Sequence, residues 1–366
     1  MRAVILLLAV CAVHSLFTPI DDSNIYHSQF NWYHDQQRNS LETTNAGAYL
    51  KFNVNGTTNL VLILDATTTT LDYAKIGWSV DNGPITNVTV PSVGTRIQLF
   101  NNSQTTQTHN IFLYIKNLGQ FLDRWQGPAA NIRLLGLEAD DTVKFFVPTL
   151  LKKRILAYWD SIGEGVNTVA APGGDLFSND ALLTWAFSAA EALDAELGIV
   201  AFGGQGWTAT GLGGVPPLWN ADGDNMTSAW RWYSSKHQRD FSQCPDYILN
   251  GHGTNDGLSF SPKPAEVLIP LVTGWLKSMR QTCPKSHIFQ VVPFGLFEAE
   301  AIEKGLNKYK SASGDRRAHL IQLGPEAARG LTWFGASFCS SDGVHPLGWR
   351  SSQLGAMLAV KIAAKL

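Results

Sequence analysis

The stretch Ile155-Leu156-Ala157-Tyr158-Trp159-Asp160-Ser161-Ile162-Gly163-Glu164-Gly165 joins an apolar run to an acidic residue, a serine and two glycines. The apolar run predicts a buried strand, and the residues after it predict a tight turn at the carboxyl end of that strand. Such a turn can present the Ser161 hydroxyl as a nucleophile at the edge of a parallel sheet. The pattern has a second interpretation, because an Asp-Ser pair after a strand is commonly the N-cap of the next helix.

Three later stretches follow or close apolar runs in the same way. They are Gly203-Gly204-Gln205-Gly206-Trp207-Thr208, Gly251-His252-Gly253-Thr254-Asn255-Asp256 and Ser341-Asp342-Gly343-Val344-His345-Pro346. In chain order the four stretches therefore offer a serine, a glycine, an asparagine and an Asp-x-x-His pair.

The Asp-x-x-His pair supplies what a serine nucleophile lacks. An unactivated hydroxyl needs a base within hydrogen-bond reach, and that base needs a group that fixes its tautomer. His345 has Asp342 three residues before it, whereas other histidines have no carboxylate in that position, namely His237, His252, His287 and His319. His252, which neighbours Asn255, is the second candidate for the base.

Taken together, the four stretches resemble the signature blocks of the SGNH (GDSL-type) hydrolases, a superfamily of serine esterases and lipases on a flavodoxin-like sheet. The resemblance implies a triad of Ser161, Asp342 and His345. It also implies an oxyanion hole made of the backbone N–H groups of Ser161 and Gly206 and the side-chain amide of Asn255. From residue chemistry alone, a plain turn at Gly206 and a helix N-cap at Asn255 remain alternatives. We expect no cofactor and no metal ion.

Three tryptophans are predicted to contact substrate. Trp159 stands where the family commonly has glycine, so its ring either narrows the acyl pocket or faces into the sheet. Trp207 and Trp219 belong to an aromatic-rich, irregular insertion between Gly206 and Cys244. Indole faces beside a nucleophile suit the C–H face of a sugar ring, although at least two of the insertion's rings are expected to serve packing.

The chain divides near residue 150 by its pattern of predicted elements. Residues 16–150 read as short strands between turn signals, which is typical of a β-sandwich or jelly roll. Residues 151–366 alternate strands with helices, which predicts a parallel sheet covered on both faces. The whole arrangement resembles the two-domain carbohydrate esterases that remove acetyl groups from polysaccharides.

Composition and termini point to a secreted protein with a neutral partner. Among 366 residues, 28 Lys+Arg balance 30 Asp+Glu and only 16% are charged, so we expect neither nucleic acid nor a membrane surface as a partner. Residues 1–15 read as a signal peptide, and no later apolar run is long enough to span a bilayer. Candidate N-glycosylation sites are Asn55, Asn87, Asn101 and Asn225.

The cysteines predict one disulfide. Cys244 and Cys283 each precede a predicted strand, and the flavodoxin-like order implied by the resemblance makes those strands neighbours. A Cys244–Cys283 bridge is therefore expected, with Cys339 left as a buried thiol near the His345 loop.

These observations lead to one functional hypothesis and two alternatives. The hypothesis is a secreted serine esterase that removes short acyl groups, chiefly acetyl, from a carbohydrate through an acyl-enzyme. The first alternative is a GDSL-type lipase or phospholipase, which needs a large apolar acyl channel. The second is a catalytically inactive, secreted carbohydrate-binding protein.

Overall fold

The computed structural model describes residues 15–68, 74–90, 96–101, 107–127, 130–170, 174–220, 227–258, 262–331 and 336–366. Residues 15–146 are here called the β half. Its described strands are β1 Ser15–Pro19, β2 Tyr26–His27, β3 Tyr33–Asp35, β4 Ser40–Thr43, β5 Tyr49–Asn55, β6 Asn59–Leu64, β7 Lys75–Val80, β8 Thr86–Thr89, β9 Arg96–Asn101, β10 His109–Asn117, β11 Ile132–Asp140 and β12 Lys144–Phe146.

These strands form two antiparallel sheets that face each other. One has the order β3-β4-β11-β6-β9 with β1 beside β11, and the other has the order β12-β5-β10-β7-β8 with β2 beside β5. In β5, Leu50, Phe52 and Val54 are buried at alternate positions and pack in one core with Leu62 and Leu134 of the facing sheet. The predicted sandwich is therefore confirmed, while its jelly-roll connectivity stays a prediction.

Residues 153–366, here called the α/β half, carry the parallel sheet. The elements are β13 Lys153–Trp159, α1 Ser161–Glu164, α2 Asp175–Ser178, α3 Trp185–Ala192, β14 Ala195–Ala201, β15 Tyr247–Asn250, α4 Thr254–Gly257, α5 Ala265–Thr282, β16 His287–Val291, α6 Ala299–Ser313, β17 Ala318–Ile321, α7 Pro325–Ala328 and α8 Gly348–Ala363. The sheet order is β14-β13-β15-β16-β17, with every neighbour parallel. This is the flavodoxin-like order that the resemblance implied.

Side chains from opposite faces of this sheet enter two separate cores. Leu156 and Tyr158 of β13 pack with residues of α5 and α6 on one face. Ile155, Ala157 and Trp159 pack with residues of α3 and α8 on the other. Because both faces are covered, the strands are mostly apolar, as in other buried parallel sheets.

The sequence pattern of the second half predicts one helix from Asp180 to Leu197, and this prediction is too long. The structure has α3 at Trp185–Ala192 and then β14 from Ala195, because Asp194 adopts a positive φ of 53° that ends the helix. Glu196, a good helix former, lies in β14 with its carboxylate buried. It accepts hydrogen bonds from Lys51 at 2.8 Å and from Tyr49 at 2.5 Å, so tertiary contacts outweigh its helix propensity.

Other buried carboxylates of the α/β half also take their partners from the β half. Asp180 accepts from the Lys116 ammonium and the Tyr114 hydroxyl. Glu164 accepts from the Arg124 guanidinium at 2.5 Å. A buried carboxylate is costly unless it is paired, so these contacts hold the two halves in one arrangement.

A disulfide joins Cys244 and Cys283, as predicted, with Cα atoms 5.6 Å apart. The two cysteines precede the neighbouring strands β15 and β16, at the amino end of the sheet. Cys339 is a buried free thiol in the loop before His345, also as predicted. Among the described residues, no helix is long and apolar enough to cross a membrane.

The disulfide should contribute to stability without shaping the carboxyl edge of the sheet. We expect the Cys244→Ser/Cys283→Ser variant to lose about 2–4 kcal/mol of unfolding free energy, the usual contribution of a bridge that closes such a loop. Urea unfolding without reductant measures the loss relative to oxidised wild type, and wild-type protein unfolded in the presence of reductant is the matched control. Unreduced peptide mapping that found Cys339 in a disulfide would contradict the assignment.

Candidate active site

Ser161 lies where β13 gives way to a short helix. It is the first residue of α1, and Asp160 before it is the N-cap, whose Oδ1 accepts a hydrogen bond from the Ile162 N–H at 3.0 Å. Gly165 ends the helix with a φ of 91°, and a Cβ there would lie 2.6 Å from the Asp180 carbonyl oxygen, so only glycine fits. The N-cap interpretation of the Asp-Ser pair is thus confirmed for Asp160, and Ser161, 8% exposed, is the first residue of the capped helix. Its role as a nucleophile stays a prediction.

His345 and Asp342 complete a hydrogen-bonded chain with Ser161. His345 Nε2 is 2.7 Å from Ser161 Oγ, and His345 Nδ1 is 2.5 Å from Asp342 Oδ2. Because a carboxylate only accepts, Nδ1 carries the ring proton and Nε2 is left to accept from the serine. The three residues that the sequence singled out are therefore brought together in the order that base-activated serine chemistry needs.

Asp342 is itself held from several sides. Its Oδ1 accepts from the backbone N–H groups of Val344 and His345, both at 2.9 Å. Partial burial alone would raise the pKa of Asp342, but the hydrogen bonds from His345 and Val344 outweigh it and hold that pKa below the ordinary value. Asn167 also donates to Asp342 Oδ2 at 2.9 Å. Sequence reasoning missed Asn167, since no local pattern links it to a residue so distant in the chain.

Gly206 does not fit the role predicted for it. Its backbone N–H already donates to the Ala209 carbonyl at 3.0 Å, and a Cβ there would lie 2.4 Å from Asp256 Oδ2. The glycine is therefore needed for close packing, and its N–H is not free for an oxyanion. Asp256 holds this loop further by accepting from the backbone N–H groups of Trp207 and Thr208, both at 2.8 Å.

Gly204 has a backbone N–H that is available for an acceptor, whereas the Gly206 N–H is already hydrogen-bonded. It has a φ of 75° in a turn closed by the bond from Gln205 N–H to Phe202 O at 3.2 Å, and within the described residues no group accepts its N–H. The turn lies against α1, because the Gly203 N–H donates to Glu164 Oε2 at 2.7 Å. The sequence pointed to the glycine-rich stretch, but only backbone geometry decides which glycine N–H is available there.

Asn255 is tied to the same turn. It lies in α4 after β15, and its Nδ2 donates one hydrogen to the Gln205 carbonyl at 2.9 Å. The second hydrogen of that amide remains for another acceptor. Neighbouring His252 is fully buried between Asn250 and Gln205, and burial lowers its pKa to about 3. A neutral, enclosed imidazole is a structural group, which removes His252 as the alternative base.

The predicted substrate contacts at the tryptophans are wrong, because all three rings are buried. Trp159 is fully buried, and its ring centroid lies 4.2 Å from that of Trp185, so it faces into the sheet. Trp207 is also fully buried and donates from Nε1 to the His252 carbonyl at 3.0 Å. Trp219 is 9% exposed and packs so closely on α5 that a Cβ at Gly274 would lie 2.2 Å from its ring. The aromatic insertion covers a helix and does not line a cleft with these rings.

The Asp160 carboxylate beside the nucleophile is fully buried, and burial raises its pKa to about 6, with partial compensation from the Ile162 N–H. A carboxyl group whose folded pKa exceeds its unfolded value of about 4 destabilises the fold as pH rises through that interval. We expect Asp160→Asn to be more stable than wild type above about pH 6, by roughly 3 kcal/mol at most, and to lose this advantage toward pH 4.

Thermal unfolding of both proteins across this pH range tests the expectation. The asparagine amide oxygen can keep the hydrogen bond from Ile162, so the variant removes the charge and preserves the cap. A stability difference that stays constant with pH would show that Asp160 is not the titrating group.

Comparison with known sequences finds a partial match. No protein-family model matches the chain. An acetylxylan esterase / glucomannan deacetylase from Cellvibrio japonicus (strain Ueda107) is 25% identical over 190 residues, which cover 50% of this chain and 48% of that protein. The match therefore spans about half the length of that relative.

Solved structures share the fold over nearly the whole chain. A family two carbohydrate esterase from Cellvibrio japonicus has a TM-score of 0.76 at 17% identity, covering 96% of this chain and 98% of that one. A candidate GDSL-like lipase from Bacteroides ovatus has a TM-score of 0.59 at 10% identity, covering 96% and 98%. The resemblance drawn from four short stretches is thus confirmed at the level of fold, and the chain has the architecture of the SGNH (GDSL-type) hydrolases.

Proposed function

We propose that the protein is a serine esterase that removes acetyl groups from a carbohydrate. The observation that carries the proposal is the hydrogen-bonded chain from Ser161 through His345 to Asp342 at the carboxyl edge of the parallel sheet. In open α/β sheets this edge is where ligands bind. The intact chain of hydrogen bonds also speaks against the inactive binding protein.

In the proposed reaction Ser161 Oγ attacks the acetyl carbonyl carbon while its proton passes to His345 Nε2. The carbonyl oxygen becomes an oxyanion, which accepts from the backbone N–H groups of Ser161 and Gly204 and from the Asn255 amide. Collapse of this intermediate expels the sugar oxygen, which takes the proton from His345. Water then attacks the acetyl-enzyme and gives a proton to His345, Ser161 Oγ leaves the acetyl carbon and takes that proton back, and acetate is released.

The substrate part of the proposal rests on the relatives. The Cellvibrio japonicus sequence relative is an acetylxylan esterase / glucomannan deacetylase, and a structure with the same fold is a carbohydrate esterase. The buried Trp207 and Trp219 give no support to sugar binding. The candidate GDSL-like lipase shares the fold too, so the acyl chain length that the protein prefers in its substrate has to be measured.

We further propose that the protein is secreted and has two domains, at residues 16–150 and 151–366, after a signal peptide at 1–15. The Cys244–Cys283 bridge suits an oxidising compartment. Asn87 and Asn101 are exposed on strands of the β half and Asn55 is partly exposed, so glycans can be attached there. Asn225 and residues 1–14 lie outside the described residues.

Acetate release from acetylated xylan and glucomannan oligosaccharides tests the proposed function. Wild-type protein should release acetate and should prefer aryl acetate to aryl octanoate. Ser161→Ala should release none, because the nucleophile is lost, and should unfold at the wild-type temperature. Hydrolysis by Ser161→Ala at the wild-type rate would remove Ser161 from the reaction, and a preference for octanoyl esters would favour the lipase.

Asn255→Ala should lower kcat by roughly 10²–10³, the range measured for the loss of one oxyanion donor, with a smaller change in KM. Asn255→Asp is the matched control, because it keeps the side-chain size but replaces the donor with a negative charge, and it should be no more active. Steady-state kinetics on aryl acetate give both constants. If only KM rose, Asn255 would bind substrate and transition state equally.

A further inference from the structure

Arg124 reaches from the β half into the interior of the α/β half. It lies between β10 and β11, and its side chain is fully buried. Its Nη1 donates to Glu164 Oε1 at 2.5 Å. Its backbone N–H donates to the Gly213 carbonyl at 2.9 Å, and its guanidinium lies 5.0 Å from the centre of the Phe202 ring. The side chain is therefore held by one ion pair and one ring contact, and the backbone by a hydrogen bond.

The partner carboxylate joins two parts of the candidate active site. Glu164 is the last residue of α1, the short helix that begins at Ser161, and it is 2% exposed. Its second oxygen, Oε2, accepts from the Gly203 N–H at 2.7 Å. Gly203 precedes Gly204 in the turn that offers an oxyanion donor. One buried carboxylate thus links the helix of the nucleophile to the turn of the oxyanion hole.

The link through Glu164 depends on Arg124, because a buried carboxylate needs a partner of opposite charge. An unpaired buried carboxylate is strongly disfavoured, and it would take up a proton or draw the surrounding groups out of place. If it stayed ionised, its negative charge would also oppose the negative charge that develops on the substrate oxygen nearby. The Arg124 guanidinium, with Nη1 2.5 Å from Glu164 Oε1, supplies the opposite charge that a buried carboxylate needs.

We propose that Arg124 is a positioning residue supplied by the β half, which acts through Glu164 to hold Ser161 and the Gly204 turn at their working separation. The proposal rests on the proposed esterase function. It makes the β half a part of the active site, although Arg124 acts only through Glu164. The expected consequence is a kcat that depends on Arg124 while KM does not.

Lys51 provides a matched control within the same interface. Like Arg124, it is a cation of the β half paired with a buried glutamate of the α/β half, Glu196, at 2.8 Å. Glu196 lies at the start of β14, at the amino edge of the sheet, whereas Glu164 lies at the carboxyl edge. If loss of either cation only loosened the interface, kcat would fall in variants of both Lys51 and Arg124. If Arg124 positions the site, kcat should fall only in the Arg124 variant.

The experiment compares Arg124→Met, Lys51→Met and Arg124→Met/Glu164→Gln in the full chain, with aryl acetate kinetics and thermal unfolding. Arg124→Met should lower kcat by about 10²-fold, the effect of a displacement of roughly 1 Å in a reacting pair, with KM unchanged. Lys51→Met should keep the wild-type kcat. The double variant keeps an acceptor for Gly203 and has no unpaired charge, so it should recover part of the lost kcat.

Equal kcat values for Arg124→Met and Lys51→Met would overturn the proposal. If Arg124→Met does not fold, the double variant decides, because it buries no unpaired charge, and a wild-type kcat there would overturn the proposal as well. The rate at which a fluorophosphonate labels Ser161 serves in place of kcat if wild type releases no acetate. A wild type that is neither active nor labelled would defeat the esterase function and this inference together.

Discussion

The parallel pairing of β13 with both β14 and β15 is the constraint on which the site depends. The register places Trp159 opposite Ala201 and Tyr158 opposite Asn250, so the three strands end at nearly the same level. The chain turns shortly after each strand, and the turns carry the serine, the glycine-rich loop and the asparagine. Polar groups from distant parts of the sequence therefore meet at one edge of the sheet, each on a short turn directly after its strand.

His345 reaches this edge through a loop that is largely organised by its own hydrogen bonds. Asp342 accepts from backbone groups of its own loop as well as from the imidazole, so the loop and the ring orientation form one unit. The Gly348 N–H after the loop donates to the Thr168 carbonyl at 2.8 Å, which ties the loop to the segment after α1. These bonds set the position of His345 relative to Ser161.

Buried carboxylates explain why the two halves act as one structure. Glu164, Asp180 and Glu196 all lie in the α/β half with little exposure, and each accepts from a cation of the β half. Separating the halves would leave these charges unpaired, at a cost that apolar contacts of the same area would not impose. The two halves can therefore pack only in an arrangement that keeps these three charge pairs together.

The sequence by itself determined the order of the chemical groups and the class of each half. Strand and helix periodicities predicted a sandwich followed by a parallel sheet, and the spacing of Asp342 and His345 indicated a base with its orienting carboxylate. Tertiary structure alone decided which groups are available. Residues distant in sequence bury the three tryptophans Trp159, Trp207 and Trp219. The Gly206 N–H donates to the Ala209 carbonyl, and Arg124 of the β half pairs with Glu164 of the α/β half. Local patterns report what a segment prefers, whereas burial and hydrogen-bond partners depend on what packs against it, and that is set only when the sheets assemble.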